Sequence, residues 1–411
     1  MLLNKPRAYA VMDRHGLDGL IAATRQNVYY LSDFWSHTLM VERSFTTFAV
    51  LPRREDAPAA LVMGMTENGR LAEEGTWIDN IVGVTGRASP TAANVGGDEK
   101  LDPLSVYLIG QEDRLTDRER GWIAAARSRS DHLERTPALG LKRALMDAGL
   151  EKSHVGTDDP RLIDWVNAMG LDGLTGVDAT NVFREIRMVK SADEIALLRE
   201  AAHRNEHAVE TAIAAIKDGA SAEDLERAYK VALAAQDGVG LYILFGMVPG
   251  MRHGKVVKGE PFLVDALGTY RHYHGDLGRT VVVGEPDAET KKRNRAMQIG
   301  WQTACDMMKP GLKGSDIVKK VMDVMRKEGF PSFNHCVAHT VGLEHTDHPI
   351  PIGPDGLGAT PDFTIEADMV LNVDMPYQEY GWGSMHIEDT LRVTNDGFEP
   401  LTSLKTDMRI L

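Results

Sequence analysis

Apolar and polar positions alternate over Pro6–His15 in the manner of a short amphipathic helix, and Gly16 can end it. Leu20-Ile21-Ala22-Ala23 is a brief apolar run that predicts a strand. Two further strands are predicted over Phe45–Leu51 and Ala59–Met63, split by the charged turn Arg53-Arg54-Glu55-Asp56. Val106–Gly110 continues the rhythm as a strand and Leu141–Ala148 as a helix. Strands interleaved with helices predict a small α/β amino-terminal domain.

The pattern lengthens after Val182–Lys190, which places a boundary there and divides the chain into residues 1–183 and 184–411. Ser191-Ala192-Asp193-Glu194 reads as a capping box, with the Ser hydroxyl and the Glu carboxylate each meeting a free backbone N–H. Ile195, Leu198, Ala202, Val209, Ile213 and Ile216 then recur at helical spacing until Asp218-Gly219. Ser221 opens a helix to about Gln236, and two more are predicted within Pro286–Gly311 and Ser315–Gly329. Phe262–Val264 reads as a buried strand, Thr280–Val283 is a β-rich run, and Met369–Val373 is a further apolar run beyond the last helix. There are no short repeats and no low-complexity stretch.

A chain of 411 residues is long for one core, which agrees with two domains. A hydrophobic share of 43% and a charged share of 26% are those of a globular protein. The net charge of −14, without a basic block, argues against nucleic acid and against anionic membrane surfaces as partners. Cys305 and Cys336 are the only cysteines, too few for a disulfide framework, so a reducing, cytoplasmic setting is expected. Met1–Gly16 carries scattered charges and no long apolar core, so neither a signal peptide nor a membrane span is expected.

Candidate chemistry is concentrated between Phe262 and Glu388. Asp265 closes one apolar strand run and Asp276 follows eleven residues later, with Gly268 and Gly275 between them. A hairpin would bring the two carboxylates together. Asp374 follows the run Met369–Val373, Glu388 sits in Ile387-Glu388-Asp389-Thr390, and His339 lies in Ala338-His339-Thr340-Val341-Gly342-Leu343. Four carboxylates and one imidazole suit hard or borderline divalent ions such as Mn, Co or Zn. One ion does not need so many acids; two do, because two carboxylates can bridge while the others cap.

These motifs together resemble the pita-bread metallopeptidase family of methionine aminopeptidase, aminopeptidase P, prolidase and creatinase. Asp265 to Thr280 resembles the family's two-aspartate segment ending in Arg-Thr, with Leu267 at the family's Gly and Gly268 one place later. His339 to Leu343 resembles its His-x-x-Gly-Leu, and Ile387–Thr390 with Val393-Thr394 and Leu401-Thr402 resembles its closing motifs. Asn27–Phe34 and Ile186–Ile195 resemble its amino-domain and linker segments. The resemblance implies an α/β amino domain and an α+β pita-bread catalytic domain, two helix pairs over a curved, largely antiparallel sheet. It also implies two divalent ions per chain: Asp276 and Glu388 bridging, Asp265 capping one ion, His339 and Asp374 capping the other. In the family the acid at Asp374 shuttles a proton to and from the attacking water.

Other residues come from the same comparison. His335 falls where a family histidine faces substrate. His253, twelve residues before Asp265, matches a histidine that touches the scissile group if a loop is shortened. His345 and His348 either form a polar loop or replace a substrate-contacting family histidine whose place is held by Thr346. Asp374 stands where relatives have Glu, and His386 where many have Arg, losing a fixed fork of donors for a substrate carboxylate. Trp35, His37 and Arg43 read as ordinary surface, although relatives set amino-domain residues against a partner's site. The expected protein is a metallohydrolase that cleaves an amide C–N bond in a short peptide or small molecule, as a homodimer. Catalytic roles fall to Asp374, His253 and His335, and substrate contact to His345, His348 and His386. A creatinase-like or ectoine-hydrolase-like activity on a small non-peptide, a metal-dependent lyase, and a non-catalytic binding module are the alternatives; a complete acid and histidine set argues against the last.

Overall fold

The structure is a computed structural model that describes residues 1–41, 44–85, 101–104, 107–171, 173–246, 254–351 and 361–411. The chain divides into two compact units, Met1–Ile186 and Arg187–Leu411.

The amino-terminal unit is built on a seven-stranded mixed sheet. Its strands are β1 (Gly19–Ala22), β2 (Phe48–Pro52), β3 (Ala60–Gly64), β4 (Asn80–Val84), β5 (Leu133–Glu134), β6 (His154–Thr157) and β7 (Thr175–Asp178). They lie in the order β5-β4-β3-β2-β1-β6-β7, with β2 antiparallel to both neighbours and the other pairs parallel. Ile21, Val50, Val62 and Val82 pack beneath Leu141 and Leu145 of the helix Pro137–Asp147. The expected helix over Pro6–His15 is Lys5–His15, and Gly16 ends it in the left-handed conformation at φ 63°.

Two expectations for this unit do not hold. Tyr107–Gly110 form no strand, and Leu108 is 95% exposed; Val106 lies outside the described residues. A short apolar run does not specify a strand unless a sheet edge is there to pair it. The second strand starts at Phe48 rather than Phe45, because Phe45 sits at φ 60°, where no ladder can form.

In the second unit the capping box is present: Ser191 Oγ accepts the Glu194 N–H at 3.2 Å, and Glu194 accepts the Ser191 N–H at 2.9 Å. The helix it opens, Ala192–Ala214, ends before Asp218-Gly219 but still leaves Ile216 buried. This helix packs on Ala222–Ala234, and Ala288–Met307 packs on Gly314–Lys327. Each pair covers its own sheet. The first sheet contains β8 (Gly238–Phe245), β9 (Phe262–Tyr270), β10 (Tyr273–Val282) and a strand at Arg409–Ile410. The second contains β11 (Val337–Thr340), β12 (Val370–Glu379), β13 (Gly383–Ile387), β14 (Thr390–Val393) and Phe398–Pro400. Tyr229, Phe262, Val264 and Leu277 lie in one core, and Trp301, Val321, Leu371 and Ile387 in the other. A bridge between Gly278 and Glu388, with both N–H···O distances 3.1 Å, joins the two sheets. It sets the last acid beside the hairpin that carries the first two. Among the described residues no helix is long and apolar enough to cross a membrane.

Candidate metal centre

Side chains alternate between the faces of a sheet, so register decides which groups meet. In the β9–β10 hairpin Asp265 stands opposite Gly278, and Asp276 opposite Leu267. Asp276 and Gly278 are two apart on one strand, so both aspartates share a face. On the second sheet His339 pairs with Asn372, and Asp374 lies two residues further along β12. His386 pairs with Pro376, and Glu388 lies two residues beyond His386. The same period therefore presents His339, Asn372, Asp374, His386 and Glu388 on one face, joined to the aspartates through the Gly278–Glu388 bridge.

Glu388 is 2% exposed and its Oε1 accepts from Asn372 Nδ2 at 3.0 Å, with His339 Nε2 3.3 Å away. Its main chain is fixed from behind. Arg279 donates to the Glu388 carbonyl at 2.8 Å and to Asp389 at 2.9 and 3.0 Å, and Thr402 Oγ1 also donates to Asp389. The Arg-Thr, Glu-Asp-Thr and Leu-Thr motifs are thus one scaffold behind the acid. Asp374 Oδ1 lies 2.6 Å from His386 Nε2. Asp276 Oδ2 lies 3.1 Å from His345 Nε2, and the His339 and His345 rings are 4.7 Å apart.

Burial pushes the Glu388 carboxyl well above its usual range, and the charges of Asp276, Asp374 and Asp265 add to it. Burial likewise pushes Asp265 up to about 6; His386 opposes this, while Asp276 and Asp374 reinforce it. Burial also raises Asp374, but the His386 hydrogen bond together with the charges of His386, His339 and His335 outweighs it and leaves that carboxyl low. Burial holds His339 below the usual imidazole range. Such a cluster of desolvated acids calls for cations. Asp265 Oδ1 and Asp276 Oδ1 are buried and accept no hydrogen bond. A desolvated carboxylate oxygen without a donor is costly, and a divalent ion would satisfy it. Among the described residues, two groups have ligand atoms within 4.8 Å of one another: Asp276, His339 and His345; and Asp265, His386 and Glu388.

The acids flank a cavity of about 880 Å³ whose lining includes Asp265, His335, Asp374 and His386, with Phe330 and Tyr377 as an aromatic wall. Other sequence candidates fare differently. His348 is 4% exposed; its Nδ1 accepts the Thr340 N–H at 3.2 Å and its ring packs on Phe363, a packing position rather than a substrate contact. Trp35 is buried edge-on against Tyr29, not surface, because it fills space beside the short helix His37–Met40; His37 itself is exposed. His253 and Arg43 lie outside the described residues. Asn372 escaped the sequence reading, although an amide inside the apolar run Met369–Val373 and two residues from Asp374 was a signal for it. Nothing local in the sequence marks the aromatic wall.

The loop after β11 is held by buried charge. Asp347 accepts from Arg187 Nε at 2.7 Å and from Lys190 Nζ at 2.8 Å, with all three side chains 0–1% exposed. Burial opposes the Asp347 charge, but Arg187 and Lys190 outweigh it and hold the carboxyl at about 2. A depressed carboxyl contributes stability above its unfolded pKa of about 3.9, and that stability is lost as pH falls through about 2. The contribution is about 2 kcal/mol. Denaturant unfolding from pH 5 downward is expected to show this acid loss in the wild type and not in Asp347→Asn. Asp347→Ala strands two buried cations and is expected to cost about 3–5 kcal/mol at neutral pH. A loss below about 1 kcal/mol in the same melts would contradict the clamp.

The profile of metallopeptidase family M24 matches residues 196–395, and that of the creatinase/prolidase N-terminal domain matches residues 6–100. The chain belongs to metallopeptidase family M24. It is a metallohydrolase with the family's two-domain fold. It is 26% identical over 247 residues to an uncharacterized peptidase of Staphylococcus aureus, covering 58% of this chain and 68% of the relative. Identity to a Xaa-Pro dipeptidase of Pyrococcus horikoshii is 25% over 238 residues, covering 56% of this chain and 66% of that one. The solved Xaa-Pro dipeptidase of Bacillus anthracis superposes with a TM-score of 0.70 at 18% identity, covering 99% of both chains. At that identity the superposition speaks to the fold alone. M24 metallopeptidases use divalent metals, and the two acid–imidazole groups are where this chain would hold them.

Proposed function

We propose that this M24 enzyme hydrolyses an amide C–N bond at a two-ion centre, and that it prefers a small or short substrate other than an ordinary Xaa-Pro dipeptide. The observation carrying the reading is the convergence of Asp265, Asp276, His339, Asp374 and Glu388 on one face, with buried carboxylate oxygens of Asp265 and Asp276 lacking hydrogen-bond donors. When bound, divalent ions supply Lewis-acid polarisation of the carbonyl and a water of lowered pKa. The five side chains hold them. Asp374, in the cavity wall, takes the proton of the attacking water. His335 faces the same cavity and donates to the carbonyl oxygen or the leaving nitrogen. Asn372 holds Glu388 in place. Elemental analysis after reconstitution with Mn, Co or Zn in turn is expected to give about two ions per chain; no bound ion with any of them would end this reading.

The substrate preference rests on three departures around a retained acid set: Asp374 for Glu, Thr346 for His, and His386 for Arg. They fall on groups that place and protonate substrate. The chain also acts as a homodimer in this proposal. Among the described residues, both acid–imidazole groups lie in the second unit, and the family resemblance gives the amino-terminal unit a role in closing a neighbour's site. Light scattering at micromolar concentration is expected to report twice the 45.2 kDa chain mass, and a monomer mass would refute the assembly.

A further inference from the structure

Family resemblance implies one imidazole among five ligands, yet the geometry brings two more to the acids. His345 Nε2 stands 3.1 Å from Asp276 Oδ2, and His386 Nε2 stands 3.6 Å from Glu388 Oε2. Ligand atoms sharing one tetrahedral ion at about 2.0–2.2 Å lie roughly 3.3–3.6 Å apart. Both separations are close to that edge. We infer that His345 and His386 are themselves metal ligands: His345 with Asp276 and His339 on one ion, His386 with Asp265 and Glu388 on the other. This rests on the two-ion reading above and adds to it a nitrogen-richer centre.

The supports of the His339 and His345 rings agree with that role, whereas His386 is placed by packing alone. A ligating imidazole is oriented through its other nitrogen. His339 Nδ1 lies 3.2 Å from the His345 carbonyl, which leaves its Nε2 toward the acids. His345 Nδ1 lies 3.4 Å from Thr346 Oγ1, so the Thr346 departure supports the ring that faces Asp276. The backbone of this loop is anchored by Asp347 on Arg187 and Lys190. His386 is 1% exposed and packs on bare Gly278, where an added Cβ would sit 2.5 Å from His386 Nδ1. That packing leaves Nδ1 buried without a hydrogen-bond partner and turns Nε2 to Asp374 and Glu388. Asp276 and Asp265, one in each group, both carry buried carboxylate oxygens without a hydrogen-bond donor. Both histidines thus accompany the shortened Asp374: an imidazole adds a donor where the aspartate reaches less far. Imidazole favours Zn and Co over Mn, whereas carboxylate alone suits Mn.

The test counts ligands and affinities, independently of turnover. X-ray absorption of the doubly Zn-loaded wild type is expected to show three imidazoles shared over two ions, those of His339, His345 and His386. One imidazole, His339 alone, overturns the inference. In parallel, Zn and Mn titrations of the metal-free chain are compared with His345→Gln and His386→Gln. Each substitution is expected to weaken Zn binding about 10–100-fold or more, since even supporting residues cost that much, and to weaken Mn binding less. Unchanged Zn affinity in either variant overturns it. His345 is 42% exposed, so its variant should fold; the wild-type absorption measurement holds whatever His386→Gln does. If the wild type binds two ions with a single imidazole, only this inference fails. If it binds none, the two-ion reading fails with it.

Discussion

Alanine at Glu388 is expected to lower kcat/KM by at least about a hundredfold and to leave fewer than two divalent ions on the chain. Residues that merely orient a ligand cost 10–100-fold when removed, so loss of a carboxylate proposed to bridge two ions belongs at or beyond the upper end. Glu388 is firmly held: it takes a hydrogen bond from Asn372, stands 3.3 Å from His339, and has its backbone bridged to Gly278. The companion Glu388→Gln separates ligation from folding. It keeps the volume and an oxygen for Asn372 while removing a charge that burial and three neighbouring acids disfavour. A carboxyl held above its ordinary pKa stabilises the fold at low pH and loses that contribution as pH rises through the raised value. The metal-free Glu388→Gln chain is therefore expected to melt no lower than the metal-free wild type at neutral pH, yet to bind metal poorly. Full metal content and activity within tenfold of wild type would remove Glu388 from the ligand set. Asp276→Ala is expected to behave like Glu388→Ala, since its unsatisfied Oδ1 faces the same cluster.

Xaa-Pro dipeptides and tripeptides are expected to be poor substrates of the metal-loaded enzyme, with kcat/KM below the common enzyme range of roughly 10⁴–10⁸ M⁻¹s⁻¹. The cause is placement. Asp374 is one methylene shorter than the glutamate of relatives, and its Oδ1 is engaged by His386 at 2.6 Å. A displacement of about 1 Å at a reacting group can cost roughly a hundredfold. An imidazole at His386 also lacks the planar fork with which arginine grips a carboxylate. Peptide turnover inside that range would reject the preference for other substrates. Asp374→Glu locates the change: a gain in peptidase activity assigns it to this residue, and no gain transfers it to Thr346 and His386.

Much of the centre was legible along the chain because strand geometry is local. Asp265 and Asp276 are joined by a tight hairpin, and a period of two puts both on one face whatever the rest of the fold does. The capping box at Ser191 and Glu194 involves neighbours three residues apart, so it too was readable. Phe45 and Tyr107–Gly110 misled for the complementary reason. Apolar side chains mark the capacity to form a strand, but pairing needs a neighbour, and Phe45 sits at a positive φ that breaks the ladder. Trp35 looked like surface because a short segment does not show what will cover it.

The sequence by itself determined the acids, their order and the half-turn alternation that aims them, since each depends on spacing within a strand or hairpin. It determined the two-domain family fold through motifs that form one scaffold behind Glu388. Only the tertiary structure decided which imidazole meets which carboxylate. His345 reaches Asp276 on a loop held by Asp347, whose cationic partners lie 157 and 160 residues away in the chain. His386 reaches Asp374 across a β12–β13 pairing and rests on Gly278 of the other sheet. No local spacing encodes such contacts, because they arise from packing between elements whose positions are set by two separate hydrophobic cores.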